Sequence, residues 1–217
     1  SMVERTSDGW GISQRLPSPF NVTSSDEGYS ESDDRVAYIS STRSGGVGNS
    51  DIWRVHPSPG EAENLGSNVN SSAWDGSSFI APDGSYLIFA SNRAGKIGLQ
   101  DLYICFNNGN NTWTSAMNMN SGGSDINIAG YSQMTPSISP DGKFLFFSRL
   151  NGSQTQQDIY WVSTGIIDTL RTIAFATSID EPKLSYKISV FPNPSEGLFT
   201  ITIESNLAKN ATAEIFT

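Results

Sequence analysis

The 217-residue sequence contains a single cysteine, Cys105, and a single histidine, His56. An intrachain disulfide is therefore excluded, and a Cys/His zinc site or a Cys-His catalytic pair would need these two residues to meet. Charged residues make up only 16% of the chain and the net charge is −9. Because phosphate-backbone binding needs clustered Lys and Arg, neither nucleic acid nor an anionic membrane surface is an expected partner. No apolar run is long enough to predict a membrane span.

Serine, asparagine, threonine and glycine are abundant, and one pattern of them occurs three times. Each repeat has a polar turn, an apolar strand, a basic or Gly-rich loop, and a strand that opens with Asp and carries an aromatic residue at its third position. The copies are SDDRVAYISSTRSGGVGNSDIWRV, APDGSYLIFASNRAGKIGLQDLYICF and SPDGKFLFFSRLNGSQTQQDIYWV. Taking Asp33, Asp83 and Asp141 as the turn residues, the copies lie 50 and then 58 residues apart. Such a period in a β-rich chain is typical of propeller blades.

The repeats predict an all-β chain with three four-stranded units and no long helix. The units cover about residues 28–69, 74–119 and 130–176, and the third-strand aromatics Trp53, Tyr103 and Tyr160 are expected to pack between units. Outer strands are predicted from EAENLG and NTWTSAMNM, and the similar string GWGISQRL predicts an unassigned outer strand at 9–16. Cys105 takes the place of Val55 and Val162 in the other copies, which indicates a small buried side chain.

Three units are too few to close a propeller ring, because each blade buries both faces against neighbours. The strand at 9–16 belongs to a preceding unit, completes the third unit, or pairs with another chain. The favoured interpretation is part of a larger native propeller with further N-terminal blades. The alternative is a homodimer, in which two copies combine through their open faces into a six-bladed ring.

Over about residues 9–165 the chain resembles the TolB-type, WD-like β-propeller repeat. The resemblance rests on the strings APDGSYLIFASNRAG and ISPDGKFLFFSRLNG with the Asp-aromatic strands that follow them. It implies the propeller fold but little about function, because such propellers serve as interaction modules, as binding domains beside enzymes and as gating domains of peptidases. Two departures stand out. Asp33-Asp34 replaces Asp-Gly in the first turn, and Arg149 lies two positions earlier, relative to its strand, than Arg43 and Arg93.

The C-terminal residues 186–217 resemble the opening of the type IX secretion sorting domain of Bacteroidetes. The string YKISVFPNPSEGLFTITIE contains a strand, a Pro-Asn-Pro turn and an alternating strand, whereas an ordinary Pro-rich hairpin is the alternative. The resemblance implies a truncated sorting domain at 185–217 after a linker at 177–184. It also implies recognition by the type IX secretion machinery, with the protein secreted or held at the cell surface on the outer membrane.

No catalytic motif, metal site or cofactor is predicted, since there is no G-x-S-x-G elbow and no series of alternating Asp ligands. Propeller topology instead gathers the loops before each first strand at one channel mouth. Aromatic rings beside carboxylates and amides suit a glycan, a peptide or a protein ligand. The main hypothesis is a non-catalytic binding propeller; the alternative is the propeller part of a larger secreted hydrolase acting on glycans or peptides. The predicted mouth residues are Asp26, Glu27, Tyr29, Trp74, Asp75, Tyr131 and Gln133.

Overall fold

The computed structural model describes residues 3–56, 60–110, 112–153, 155–176, 186–191 and 200–205. Antiparallel β-sheets are the main regular structure of these residues, which also contain one α-helix. The predicted all-β class is confirmed, and none of the sheets closes on itself within this part of the chain. The chain divides into two compact units, Ser1–Phe175 and Ala176–Thr217.

The first unit begins with a short hairpin of β1 (Arg5–Thr6) and β2 (Gly9–Trp10). The predicted outer strand at 9–16 is thus a strand only at its first two residues, which pair with the preceding segment, while Gln14 forms an isolated β-bridge. Trp10 and Ile12 remain exposed.

Three sheets follow, and the first two have the same plan. The first contains, in spatial order, β3 (Asp26–Glu31), β4 (Ala37–Ser41), β5 (Asp51–Val55) and β6 (Ala62–Asn64). The second contains β7 (Asp75–Ile80), β8 (Tyr86–Ser91) and β9 (Asp101–Gly109). Its outer strand is in two pieces, β10 (Thr112–Trp113) and β11 (Met117–Asn118), which both pair with β9.

The third sheet contains β12 (Tyr131–Ile138), β13 (Phe144–Asn151) and β14 (Gln157–Ser163), and here the prediction of a fourth strand is wrong. Residues Gly165–Ala176 form α1 instead. Ile167, Leu170 and Ala174 recur at helical spacing and are buried. The sequence interpretation extended the strand pattern of the first two repeats past the point where the apolar period changes.

The three sheets pack face to face through apolar clusters. Between the first and second sheets, Tyr38 and Ile52 meet Phe89 and Tyr103. A second cluster joins the second and third sheets, where Leu102 and Ile104 of β9 and Leu145 and Phe147 of β13 pack together with Leu170 of α1. The helix therefore packs against the interface between the second and third sheets and not along the free edge of β14, where an outer strand was expected. Cys105 is fully buried, as its position in the repeat predicts.

The polar turns of the repeats correct the predicted alignment by one residue. The turn-closing hydrogen bonds run from the N–H groups of Arg35, Gly84 and Gly142 to the carbonyls three residues earlier, at 2.8–2.9 Å. Asp34, not Asp33, is therefore the counterpart of Asp83 and Asp141. The positive φ also lies at Arg35 (69°), the counterpart of Gly84 (70°) and Gly142 (74°), and not at Asp34 as the Asp-Gly replacement suggests.

Replacing Arg35 with Gly is expected to raise the free energy of unfolding by about 0.5–1 kcal/mol, because glycine adopts positive φ without the Cβ clash. The lost ion pair with Glu31 offsets little of this, since the Arg35 side chain is 78% exposed. Urea unfolding of Arg35→Gly and Arg35→Ala measures the difference. Alanine keeps the Cβ, so equal stability of the two variants would contradict the strain argument.

The second unit contains β15 (Tyr186–Phe191) and β16 (Thr200–Ser205), which pair antiparallel with Tyr186 opposite Ser205 and Phe191 opposite Thr200. The predicted linker at 177–184 and the Pro-Asn-Pro turn lie outside the described residues.

Candidate functional site

The seven predicted mouth residues lie at or next to the starts of the first strands of the three sheets, but they do not form one site. Asp26, Asp75 and Gln133 occupy equivalent positions, opposite Ser41, Ser91 and Arg149 respectively on the neighbouring strand. All three have buried side chains. Asp75 and Gln133 are therefore closed to a ligand, whereas Asp26 also lines a cavity at the first sheet.

The two aspartates are held by the same set of partners. The Asp26 carboxylate pairs with Arg43 Nη2 at 2.8 Å and accepts from Val22 N–H at 2.8 Å and from Ser41 Oγ at 2.7 Å. Asp75 pairs with Arg93 Nη2 at 2.6 Å and accepts from Ser71 N–H at 2.6 Å. Burial alone would raise the pKa of Asp26, but these hydrogen bonds and the Arg43 charge hold it below its usual value. The paired arginine and the hydrogen bonds therefore hold both carboxylates in place as structural anchors.

Each sheet carries one arginine that stacks on its third-strand aromatic ring. The guanidinium carbons of Arg43 and Arg93 lie 5.4 Å and 4.7 Å from the ring centroids of Trp53 and Tyr103. In the third sheet, Arg149 lies 4.1 Å from the ring centroid of Tyr160. These are cation–π distances. The recurring aromatic ring therefore binds the arginine in addition to packing between the sheets.

The other mouth residues separate into different surroundings. Tyr29 is exposed and donates to Glu31; burial, followed by this bond, raises the pKa of Tyr29 to about 12. Trp74 is half-buried, and its backbone N–H donates to Asn92 Oδ1 at 2.9 Å. A cavity of about 280 Å³ at the first sheet is lined by Leu16, Phe20, Asn21, Asp26, Glu27, Gly28, Tyr29 and Ile39.

Tyr131 lines a different cavity, of about 150 Å³, on the third sheet. Its other lining residues were not predicted as site residues: Arg149, Asn151, Gln156, Asp158 and Tyr160. The sequence did hold a signal for this cavity. Arg149 is shifted along its strand and Gln133 stands where the other sheets have Asp, so the third repeat departs from the pattern at two facing positions.

The outward face of β14 is the largest difference between the third sheet and the other two. Ile159 is 79% exposed and Trp161 is 61% exposed. Their counterparts on β5 and β9, such as Ile52 and Leu102, are fully buried under the neighbouring sheet. Within the described residues β14 pairs only with β13, so its other edge carries free backbone N–H and C=O groups.

Two features of the described residues bear on the type of site. No group of three or more His, Cys, Asp or Glu residues in this part of the chain is arranged to hold a metal ion. The helix found there is too short to cross a membrane. Comparison with known proteins finds no matching family model, no matching curated protein and no matching solved structure.

Proposed function

We propose that the chain is a non-catalytic binding module that recognises an extended segment of a partner protein at β14. The observation that carries the proposal is the exposed face of this strand, where Ile159 and Trp161 are largely open to solvent. Exposed apolar patches on soluble proteins commonly mark interaction sites. Large aromatic side chains are also the most frequent anchors of protein interfaces.

The free edge of β14 favours a peptide over a glycan as the ligand. An added peptide strand would pair its backbone with the open N–H and C=O groups of β14, which is the β-augmentation mode of recognition. Its alternate side chains would lie on the same face as Ile159 and Trp161. A glycan offers hydroxyl groups without the regular alternation of donors and acceptors that a strand edge matches.

The three sheets are, in this proposal, successive blades of a TolB-type propeller. This proposal is supported by structural features that recur at equivalent positions of the sheets. One such feature is the buried ion pair, Asp26–Arg43 in the first sheet and Asp75–Arg93 in the second. The first strand of every sheet also contains a bulge with a positive φ, at Gly28, Ser77 and Thr135.

Export by the type IX machinery is the second part of the proposal. It rests on the resemblance of residues 186–217 to the sorting domain, together with the antiparallel pairing of β15 and β16. On this basis the binding module acts outside the cell or on its surface.

The binding proposal is tested by selecting peptides from a random display library against the whole chain and measuring their affinity by fluorescence polarisation. Trp161→Ser is expected to weaken the selected peptides at least tenfold, because it removes the central exposed anchor. Trp10→Ser is the matched control: Trp10 is 72% exposed but lies on the β1–β2 hairpin. It is expected to leave the affinity unchanged.

Hydrogen exchange provides the structural readout of the same experiment. Bound peptide is expected to slow exchange of the outward N–H groups of residues 157–163, because a paired strand edge is protected. Peptides that bind Trp161→Ser as tightly as the wild type, or that protect no amide of β14, would overturn the proposal.

A further inference from the structure

Comparison of the three sheets reveals one arginine that lacks the carboxylate its counterparts have. Arg43 and Arg93 donate through Nε to Ser41 and Ser91 Oγ, at 2.9 and 3.0 Å, and through Nη2 to Asp26 and Asp75. In the third sheet Gln133 takes the aspartate position, directly opposite Arg149. Among the side chains that the structure describes, the corresponding anion is therefore missing at this place.

The polar atoms at this position are left without partners. Arg149 Nε is buried and has no hydrogen-bond partner among the described residues, and neither does the side-chain nitrogen or oxygen of the fully buried Gln133. Buried polar groups in folded proteins are almost always hydrogen-bonded, to protein, water or ligand. An unpaired guanidinium nitrogen and an unpaired amide therefore stand at neighbouring positions where the other two sheets have an ion pair.

Arg149 is nevertheless held rigidly at the edge of a cavity. Its Nη2 donates to the carbonyls of Asp125 and Ile126 at 3.2 and 2.9 Å. The guanidinium lies over the rings of Tyr160 and Phe147. The 150 Å³ cavity that it lines has room for roughly five waters at about 30 Å³ each. A fixed cation facing a small cavity is preorganised for a small anionic group.

A second charge in the same cavity narrows the choice of ligand. Asp158 faces Arg149 across the β13–β14 pair and lines the cavity, yet the described residues contain no ion pair between them. Its counterparts Asp51 and Asp101 each accept from two backbone N–H groups, whereas Asp158 accepts from Gln156 Nε2 at 2.9 Å. A bare anion would be repelled by Asp158, while a ligand that also brings an N–H donor would be attracted.

We infer that this cavity binds a carboxylate next to an N–H donor, the chemistry shared by a free amino acid and the C-terminal residue of a peptide. The ligand carboxylate pairs with Arg149 from the cavity, as Asp26 and Asp75 pair with Arg43 and Arg93 from within the other sheets. The ligand N–H donates to Asp158, and Tyr131 and Tyr160 flank its apolar atoms. The peptide source rests on the proposed function, because Asp158 and Tyr160 belong to β14 and would receive the end of a peptide added at that edge.

The test uses the whole chain and follows the side-chain Nε–H signal of Arg149 by ¹⁵N NMR, assigned by its loss in Arg149→Lys. N-acetylglycine represents a peptide C-terminus, glycine a free amino acid, and acetate the carboxylate alone. N-acetylglycine is expected to shift the signal saturably and to bind at least tenfold more tightly than acetate. Asp158→Asn is expected to remove that preference, because the repulsion of acetate disappears with the charge.

Gln133→Asp is the second variant. It supplies the missing carboxylate from within the sheet, so it is expected to abolish N-acetylglycine binding and to raise the melting temperature. Exposed Asp168, on α1, provides the matched charge control: Asp168→Asn should change neither the affinity nor the preference. Absence of a saturable shift with both N-acetylglycine and glycine, or unchanged binding by Gln133→Asp, would overturn the inference.

The outcomes separate this inference from the proposed function. Binding of glycine but not of N-acetylglycine would support the cavity and overturn the peptide source. If selected peptides still depend on Trp161 while no probe reaches Arg149, only the carboxylate site is overturned. If the probes bind and no peptide protects β14, the site stands and the proposed peptide-binding function fails.

Discussion

Replacing Asp75 with Ala is expected to lower the free energy of unfolding by about 3–5 kcal/mol. The Asp75 side chain is fully buried and lies 2.6 Å from Arg93 Nη2, whose own side chain is only 14% exposed. The substitution leaves that cation without its counter-charge and removes the acceptor of the Ser71 N–H and hydroxyl groups. Urea unfolding at neutral pH measures the loss.

Lys143→Ala is the matched control for a charge removed from an ion pair. Lys143 and Asp141 are 3.4 Å apart with side chains 72% and 49% exposed. Such exposed pairs contribute about 0–1 kcal/mol, so the variant should unfold almost like the wild type. Arg93 also donates to the Val69 carbonyl at 2.6 Å and stacks on Tyr103. A cost for Asp75→Ala as small as that of the control would mean that these two contacts alone stabilise the buried Arg93 charge.

Replacing Gly98 with Ala is expected to cost about 3 kcal/mol, the upper end of overpacking effects, because a backbone and not a flexible side chain occupies the space. A Cβ at this position would overlap the carbonyl oxygen of Tyr131 and come within 2.8 Å of that of Ile128. Here the loop before β9 meets the start of β12. The Leu99 N–H donates a hydrogen bond to the Tyr131 carbonyl, and the Gln133 N–H donates one to the Gln100 carbonyl. The substitution therefore pushes the second and third sheets apart.

Gly165→Ala is the control for this prediction. At the start of α1 an added Cβ would be 3.6 Å from Ser163 Oγ, an ordinary contact. Alanine also favours the helix relative to glycine by up to about 1 kcal/mol. Unfolding of Gly98→Ala at the same urea concentration as Gly165→Ala would show that the two sheets can separate without loss, and would contradict the packing described for this loop.

Much of the fold was predictable because the determining signals are local. The second and third strands of each repeat are short apolar runs bounded by turn residues, and those strands occur where the pattern predicts them. The predictions that were wrong are those in which one repeat was assumed to have the same structure as another. Asp33 was aligned by its resemblance to Asp-Gly, but the turn places the positive φ at Arg35. The third unit was predicted by analogy to have four strands and to extend to about residue 176, although the apolar spacing of its last twelve residues is helical.

The candidate site was less predictable, since burial and pairing depend on residues distant in the chain. Asp26, Asp75 and Gln133 were predicted as ligand-binding residues from topology. The two aspartates are instead buried by arginines 17 and 18 residues away. Glu27, Tyr29, Trp74 and Tyr131 lie near strand starts as expected, but they do not share one cavity. Export and the identity of the ligand stay predictions.

The sequence by itself determined the all-β class and the positions of the repeated turns and strands, because alternation, apolar runs and turn chemistry act over a few neighbouring residues. Only the tertiary structure decided which of the equivalent apolar residues are buried and which of the equivalent arginines have a carboxylate partner. Ile52 and Leu102 are buried while Ile159 is exposed, and Arg93 has a carboxylate while Arg149 lacks one. The residues of each set have similar local sequences, and they differ because a neighbouring sheet or a facing side chain is present in one place and absent in the other.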